Sequence, residues 1–352
     1  MSPIQRSRSG YILPPRLRAG DTVAAISLSS GMAEAFPHRY ATGKRQFQET
    51  FGVRVIETPH ALKSDSWLAR HPEARADDLH WALTNPDVRG IVAIIGGDDS
   101  VRILPHVDTD LIRKHPKVLL GFSDTTIALT TFLRAGVVPF HGPALMTDLA
   151  EHGGIHPYVE RALRRTIFEP EPHEWEPAPG WTEEFRDWAQ EEERDPPRAL
   201  RPNPGWRWLQ GSEATSGPLI GGCLDVLEFL KGTPWWPKPQ LWDGAVLMFE
   251  TSEEAPPPEW VGRWLRNYGH QGVLDRARAL LIARPMGYSP EQAEALDRIA
   301  VEVLADFGRS AMPLVTNLDV GHTSPMWTTP LGCTVRVDPR TESIRSEEPG
   351  AA

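Results

Sequence analysis

At 352 residues the chain is longer than a single hydrophobic core usually serves, so two domains are expected. It is 40% hydrophobic and 24% charged, which excludes collagen-like and disordered classes. A formal net charge of -10 disfavours a nucleic-acid polymer as partner, because phosphates repel an acidic surface. Two cysteines, Cys223 and Cys333, are too few for a disulfide framework and suit a reducing compartment. The opening MSPIQRSRSGYILPPRL lacks the apolar stretch of a secretory signal, and no apolar run reaches the roughly 20 residues that span a bilayer. A cytoplasmic protein with no membrane partner is the expectation.

The first element is the apolar run DTVAAISL at 21–28, a strand that ends in the polar loop Ser29-Ser30-Gly31. A charged helix over 38–51 carries Tyr40, Phe47 and Phe51, and FGVRVIET alternates as a strand. The spacing of Leu79, Ala82 and Leu83 predicts a helix over 73–84, stopped by Asn85-Pro86-Asp87. VRGIVAIIGGDDS is a buried strand with a Gly-Gly turn. KVLLGFSD is another, followed by the helix TTIALTTFLRAG and the short strand VVPFHGP. Strand and helix alternating in this way form a parallel sheet covered on both faces, with its site at the carboxyl ends of the strands.

Residues 168–210 break the pattern. They are rich in Pro, Glu and Trp and read as a long connecting loop without regular structure. The expected organisation is a domain over 1–167, this connection over 168–210, and a second domain over 211–352. The second domain holds the strands GAVLMFE, RALLIARP and TVRVD, and the helices EWVGRWLRNYG and SPEQAEALDRIAVEVLADFG. The tail after 340 is polar and is expected to fray. The fold class is therefore α/β: an N-terminal flavodoxin- or Rossmann-like parallel-sheet domain and a smaller C-terminal α/β domain with its own sheet.

Ser123 stands at a strand-to-helix seam, where its side chain projects above the sheet edge. The next amide, of Asp124, opens a helix and can serve as an oxyanion donor. The bland alternative is a helix cap, and the G-x-S-x-G elbow is not matched, since Thr125 replaces the second glycine. Gly96-Gly97 can present N–H groups to an oxyanion or simply turn the chain. Asp98-Asp99 has no His or Cys at ligand spacing, so a metal is not expected. Glu250 ends a strand and can orient a histidine, with Glu253 and Glu254 as competitors. His322 lies in the turn-rich DVGHTSPMWTTPLG and is the first choice of base; His141 in PFHGP is the second. The loop tryptophans either stack on a planar ligand or staple the loop to the surface. Trp206 and Trp208 read as structural, Trp181 and Trp188 as available.

Taken in order, GDTVAAISLSSG, ARADDLHWALTNPDVRGIVAIIGGDDS, LLGFSDTTIAL, FHGPAL, GPLIGGCLDVL, AVLMFETSEEAP and GHTSPMWTTPLG resemble the LD-carboxypeptidases and the microcin C immunity proteins related to them. The resemblance runs from about residue 12 to about 338. It implies a Ser-Glu-His triad of Ser123, Glu250 and His322, oxyanion donors at Gly97 and Asp124, no cofactor, a second domain with a smaller sheet, and a homodimer. IGGDDS departs from the R-G-G-Y-G of murein-recycling members, and the Trp-rich loop is similar to the immunity branch, where an aromatic side chain stacks on a nucleotide base. Gly96, Asp98, Trp181 and Trp188 are thus the candidate substrate contacts. Three functions follow. One is a serine hydrolase of a small peptide or peptidyl-nucleotide. Another is a murein tetrapeptide carboxypeptidase releasing D-alanine. The third is a nucleotide- or peptide-binding protein without catalysis.

Overall fold

The apolar strand runs of the first half form a six-stranded sheet. Its strands are β1 (Thr22–Ile26), β2 (Arg54–Glu57), β3 (Val88–Ala93), β4 (Val118–Gly121) and β5 (Phe140–His141), with one late strand described below. The order is β2-β1-β3-β4-β5, all parallel, which is the flavodoxin-like arrangement. This computed structural model describes residues 4–190 and 195–352. The strands are apolar along their length because helices cover both faces, among them Pro37–Phe51, Pro72–Thr84 and Thr126–Ala135. The chain runs β2 on one side of β1 and β3 on the other. The carboxyl ends of β1 and β3 therefore flank the point where strand order reverses.

The segment expected as a connecting loop carries four short strands: β6 (His173–Glu174), β7 (Gly180–Trp181), β8 (Arg201–Pro202) and β9 (Arg207–Gln210). Two of them join the second sheet, whose other members are β10 (Thr215–Cys223), β11 (Val246–Glu250), β12 (Ala279–Ala283), β13 (Leu314–Leu318), β15 (Thr334–Asp338) and β16 (Ser343–Ser346). Its order is β6-β16-β15-β10-β11-β12-β13-β9, with a parallel centre and antiparallel flanks. At eight strands it is the wider of the two sheets, where the resemblance implied a smaller one. The strand β14 (Thr329–Pro330) returns to pair antiparallel with β5, so the late chain laces the two sheets together.

The tail after 340 does not fray. Its Ser343–Ser346 stretch pairs with β15, Ser346 and Ala351 are buried, and the terminal Ala352 carbonyl accepts a hydrogen bond from the Arg16 amide at 2.8 Å. Its polar sequence hides this because the alternate residues Ile344 and Ser346 meet the core while Arg345 between them faces out.

Where the two sheets face each other, Gly222 lies against Thr126, and the Cys223 amide donates to Thr126 Oγ1 at 3.0 Å. The connection 178–206 is fixed by a buried ion pair. Arg284 meets Asp319 at 2.8 Å, with side chains 3% and 0% exposed. Asp319 also accepts from the Ala178 amide, Asn203 and the Trp206 indole. Trp206 and Trp208 are structural, as the sequence suggested: the first anchors to Asp319, and the second lies in β9 opposite Val315. Among the described residues no helix is long and apolar enough to cross a membrane.

Removing one partner of this pair strands the other charge in the interior. Arg284→Ala is expected to cost about 3–5 kcal/mol in denaturant unfolding. An unchanged midpoint would show that Asp319 is satisfied by its remaining donors.

Candidate active site at the junction of the two sheets

The carboxyl ends of both parallel sheets converge on one point. From the first sheet come the loop after β1, the Gly-Gly turn after β3 and the turn after β4; from the second comes Glu250 at the end of β11. Ser123 has φ +57, a left-handed conformation that a residue with a Cβ adopts at a cost and retains where its surroundings enforce it. The enforcement is visible. Phe122 before it is extended and buried, and the Thr125 amide closes a turn onto the Phe122 carbonyl at 3.1 Å. Asp124 after it is wholly buried, with Oδ2 accepting from the Ser100 amide and its carbonyl from Ser100 Oγ, both at 2.8 Å. Burial pushes the Asp124 carboxyl above the usual range, against the hydrogen bonds it accepts from Ser29 and Ser100. The seam is thus a held elbow and not a plain helix cap.

The Gly-Gly turn lies over this elbow. A Cβ at residue 96 would stand 2.8 Å from Ser123 Oγ, so only glycine fits there. Gly97 and Asp98 are exposed, and a Cβ at Gly97 (φ +138) would meet Ser29 and Ser30. The turn is tied to the loop after β1, with Ser30 Oγ donating to the Gly96 carbonyl at 3.0 Å and the Asp99 amide to Ser29 Oγ at 3.0 Å. Asp99 pairs with the buried Arg75 at 2.8 Å and with Arg102 at 3.2 Å, which accounts for that half of the Asp98-Asp99 dipeptide.

Glu250 is 1% exposed and is shared by two imidazoles. Its Oε2 lies 2.6 Å from His322 Nδ1 and its Oε1 lies 3.4 Å from His141 Nε2. Burial pushes this carboxyl up. The charge on His322 and the hydrogen bonds from His141 and His322 outweigh burial and bring it down to about 2. The His322 loop passes so close over the acid that a Cβ at Gly321 (φ +83) would meet Glu250 Oε2 at 2.6 Å. The loop is held on both sides. Before the histidine stands Asp319; after it, Ser324 Oγ donates to the buried Asp148, and the Met326 amide donates to the same carboxylate at 2.9 Å.

The far side of His322 faces another acid. Nε2 is 3.0 Å from Glu253 Oε2, an ion-pair distance at an angle that falls short of a hydrogen bond. Burial lowers the imidazole's proton affinity, but Glu250 first and Glu253 second raise it, to about 10. Both acids thus favour the charged form of the ring. Its ring packs 5.0 Å from Phe122, beside the Ser123 elbow.

The two candidate stacking tryptophans are both engaged by arginines. Trp181 has the Arg201 guanidinium at 3.8 Å and the Arg284 guanidinium at 4.5 Å from its ring centroid. Trp188 has Arg39 at 5.2 Å and the edge of Phe36 at 5.7 Å. Near the His322 loop a cavity of about 340 Å³ opens between Asp148, His156, Arg198, Leu200 and Ser324. It does not take in Ser123, Glu250 or His322.

A two-domain α/β protein with a strained serine at the meeting of two parallel sheets fits one family, and the comparisons agree. The family model for the LD-carboxypeptidase N-terminal domain matches residues 23–142, and that for the LD-carboxypeptidase C-terminal domain matches residues 216–337. The chain belongs to the LD-carboxypeptidase family.

Within it the chain is similar to the microcin C7 self-immunity protein MccF of Escherichia coli, at 25% identity over 335 residues and 94% of each chain. A solved structure of MccF in complex with glutamyl sulfamoyl guanosine superposes with a TM-score of 0.83, at 26% identity, covering 97% of this chain and 99% of that one. An MccF-like protein from Streptococcus pneumoniae in complex with AMP gives 0.81 at 31% identity, covering 92% and 98%. A probable murein peptide carboxypeptidase of Bacillus subtilis is 28% identical over 324 residues, 91% of this chain and 89% of its own.

One expectation is corrected. A solved apo form of MccF, described as an active-site mutant, has a serine, an asparagine and a lysine each replaced by alanine. That set points to machinery of a Ser-Lys-Asn kind and not to the Ser-Glu-His triad implied by the resemblance. The geometry here has a matching feature, since His322 turns Nε2 to Glu253, 3.0 Å away. Sequence motifs gave no weight to Asn or Lys. In the fold Asn203 and Asn317 belong to the Arg284–Asp319 network, while Lys44, Lys117 and Lys231 are bonded to Glu57, to the Ala82 and Asn85 carbonyls, and to Glu228.

The charge pair has a pH signature. The stabilisation from His322 is complete below its ordinary 6.5 and is lost as pH rises through about 10; that from Glu250 is present above its ordinary 4.5 and is lost as pH falls through about 2. Glu253→Gln removes one of the two anions, so an NMR titration of the His322 ring protons should move its midpoint downward from that of the parent. An unmoved midpoint would mean that Glu253 does not hold the proton.

Proposed function

We propose that the chain is a serine hydrolase of aminoacyl- or peptidyl-nucleotides, cutting the amide at the modified end of a small peptide. The observation that carries this reading is the likeness along 97% of the chain to MccF, whose solved complexes hold glutamyl sulfamoyl guanosine and aspartyl sulfamoyl adenosine. Ser123 is the nucleophile: its Oγ bonds to the amide carbon as the C–N bond breaks, the hydroxyl proton ends on the departing nitrogen, and water then hydrolyses the acyl-serine and restores the hydroxyl. The strained backbone of Ser123 keeps Oγ at the sheet edge, and the amides of Gly97 and Asp124 receive the oxyanion. His322, fixed as a cation by Glu250 and Glu253, adds a positive charge next to the elbow where negative charge develops. Asp98, Gly96 and the tryptophans of the 168–210 connection line the approach of the substrate, with a nucleobase meeting Trp181 or Trp188 by displacing a guanidinium from the ring. The reading includes a cytoplasmic homodimer, as the resemblance implies.

A second reading is favoured by the relation to the murein peptide carboxypeptidase: the same serine would release D-alanine from a murein tetrapeptide. IGGDDS in place of R-G-G-Y-G weighs against it.

Purified protein is to be given aspartyl sulfamoyl adenosine and murein tetrapeptide in parallel. The nucleotide should be cleaved, and Ser123→Ala should lower kcat on the order of 10³-fold or more while ligand binding persists in calorimetry. Full turnover by Ser123→Ala would sink the nucleophile. D-alanine release without nucleotide cleavage would move the assignment to murein.

A further inference from the structure

The second imidazole on Glu250 has no part in the roles above. His141 is fully buried and comes from β5 of the first sheet, whereas Glu250 ends a strand of the second. The contact between them, His141 Nε2 to Glu250 Oε1 at 3.4 Å, spans 109 positions of sequence and crosses the seam between the domains. In register His141 lies opposite Gly121, two residues before the strained serine, and opposite Thr329 on its other side. The edge of its ring rests on Phe122, with centroids 6.2 Å apart at 73°. His141 and His322 thus grip the two oxygens of one carboxylate, and both rings touch the residue that leads into Ser123.

The other ring nitrogen supports a dedicated role. His141 Nδ1 is buried and has no hydrogen-bond partner. The tautomer that donates from Nε2 to Glu250 leaves Nδ1 as an unsatisfied acceptor. An apolar side chain in this position would avoid that cost, so the imidazole is accounted for by what Nε2 does.

We propose that His141 is a positioning residue of the reactive centre. It fixes Oε1 of Glu250 to the sheet that carries Ser123, so that Oε2 meets His322 in one geometry. This rests on the reading that the centre at Ser123 is the reactive one. His141 itself touches no reacting atom.

A double-mutant cycle with His141→Leu, Glu250→Gln and the pair tests it. His141→Leu should lower kcat about ten- to a hundredfold, with KM moving less than about threefold. On the Glu250→Gln background the same change should have no further effect. His141→Gln, whose amide N–H can take the place of Nε2–H, should restore most of the loss. Losses that multiply in the double variant, or a Gln no better than Leu, would overturn the proposal. If no nucleotide is turned over, so that the functional reading itself has failed, the same cycle is read in denaturant unfolding. Non-additive midpoints then support the coupling of 141 to 250, and additive ones refute it.

Discussion

A carboxylate buried to 1% exposure between two domains is the constraint around which the centre is arranged. An isolated charge there would take up a proton, because the interior solvates it poorly. Glu250 stays ionised only because His322 supplies a positive charge at 2.6 Å and His141 a donor on the other oxygen. One of those partners rides on the first sheet, the other on a loop after the second. The acid is therefore satisfied only when the sheets are docked with their carboxyl ends together. Gly222 against Thr126 is a close approach that docking requires, while Gly96 over Ser123 and Gly321 over Glu250 are close approaches within each half.

The loop that carries His322 is short of regular structure, yet it is held on both sides by buried acids. Asp319 precedes it, paired with Arg284 and bonded to the 178–206 connection through Ala178, Asn203 and Trp206. After the histidine, Ser324 and Met326 donate to Asp148, which lies 3.4 Å from Arg198 of the same connection. The described parts of the Pro- and Trp-rich segment are thus fastened to both sides of the histidine loop. Through Glu183, which accepts from the Gly287 amide at 2.8 Å, it also reaches the loop beyond β12. Trp206 and Trp181 are part of this fastening, the first through Asp319 and the second through Arg201 and Arg284.

Much of this was legible in the residues. The strands of the first domain announce themselves as apolar runs ended by Gly-Gly or Gly-Phe-Ser-Asp, and their order follows from strand-helix alternation. Ser123 was visible as a residue at a strand's carboxyl edge, and Glu250 as the acid closing AVLMF. What stayed hidden depends on contacts distant in sequence. The order of the tail after 340 is hidden in the sequence because its pairing partner β15 is met only in three dimensions. The short strands of 168–210 have no periodicity of their own and exist by pairing with β13, β16 and each other. His141 and His322 were read as rivals for one role, when the fold places both on the same carboxylate. The triad itself was an inference from motif order, and motif order does not report on the charge state of an imidazole.

That charge state decides what the histidine can do. Two acids raise the proton affinity of this ring above that of an ordinary imidazole, so its neutral form is disfavoured. A general base starts from the neutral form, and that shift works against it. A fixed cation carries no such penalty. It needs no reorganisation as negative charge grows on a carbonyl oxygen, and its worth rises in a site walled off from water. Between Glu250 and Glu253, His322 is placed to favour the second task. On the proposed reading the proton of Ser123 then leaves by another group, and the active-site mutant of MccF, with a lysine and an asparagine replaced beside its serine, shows that such a centre can hold further polar groups.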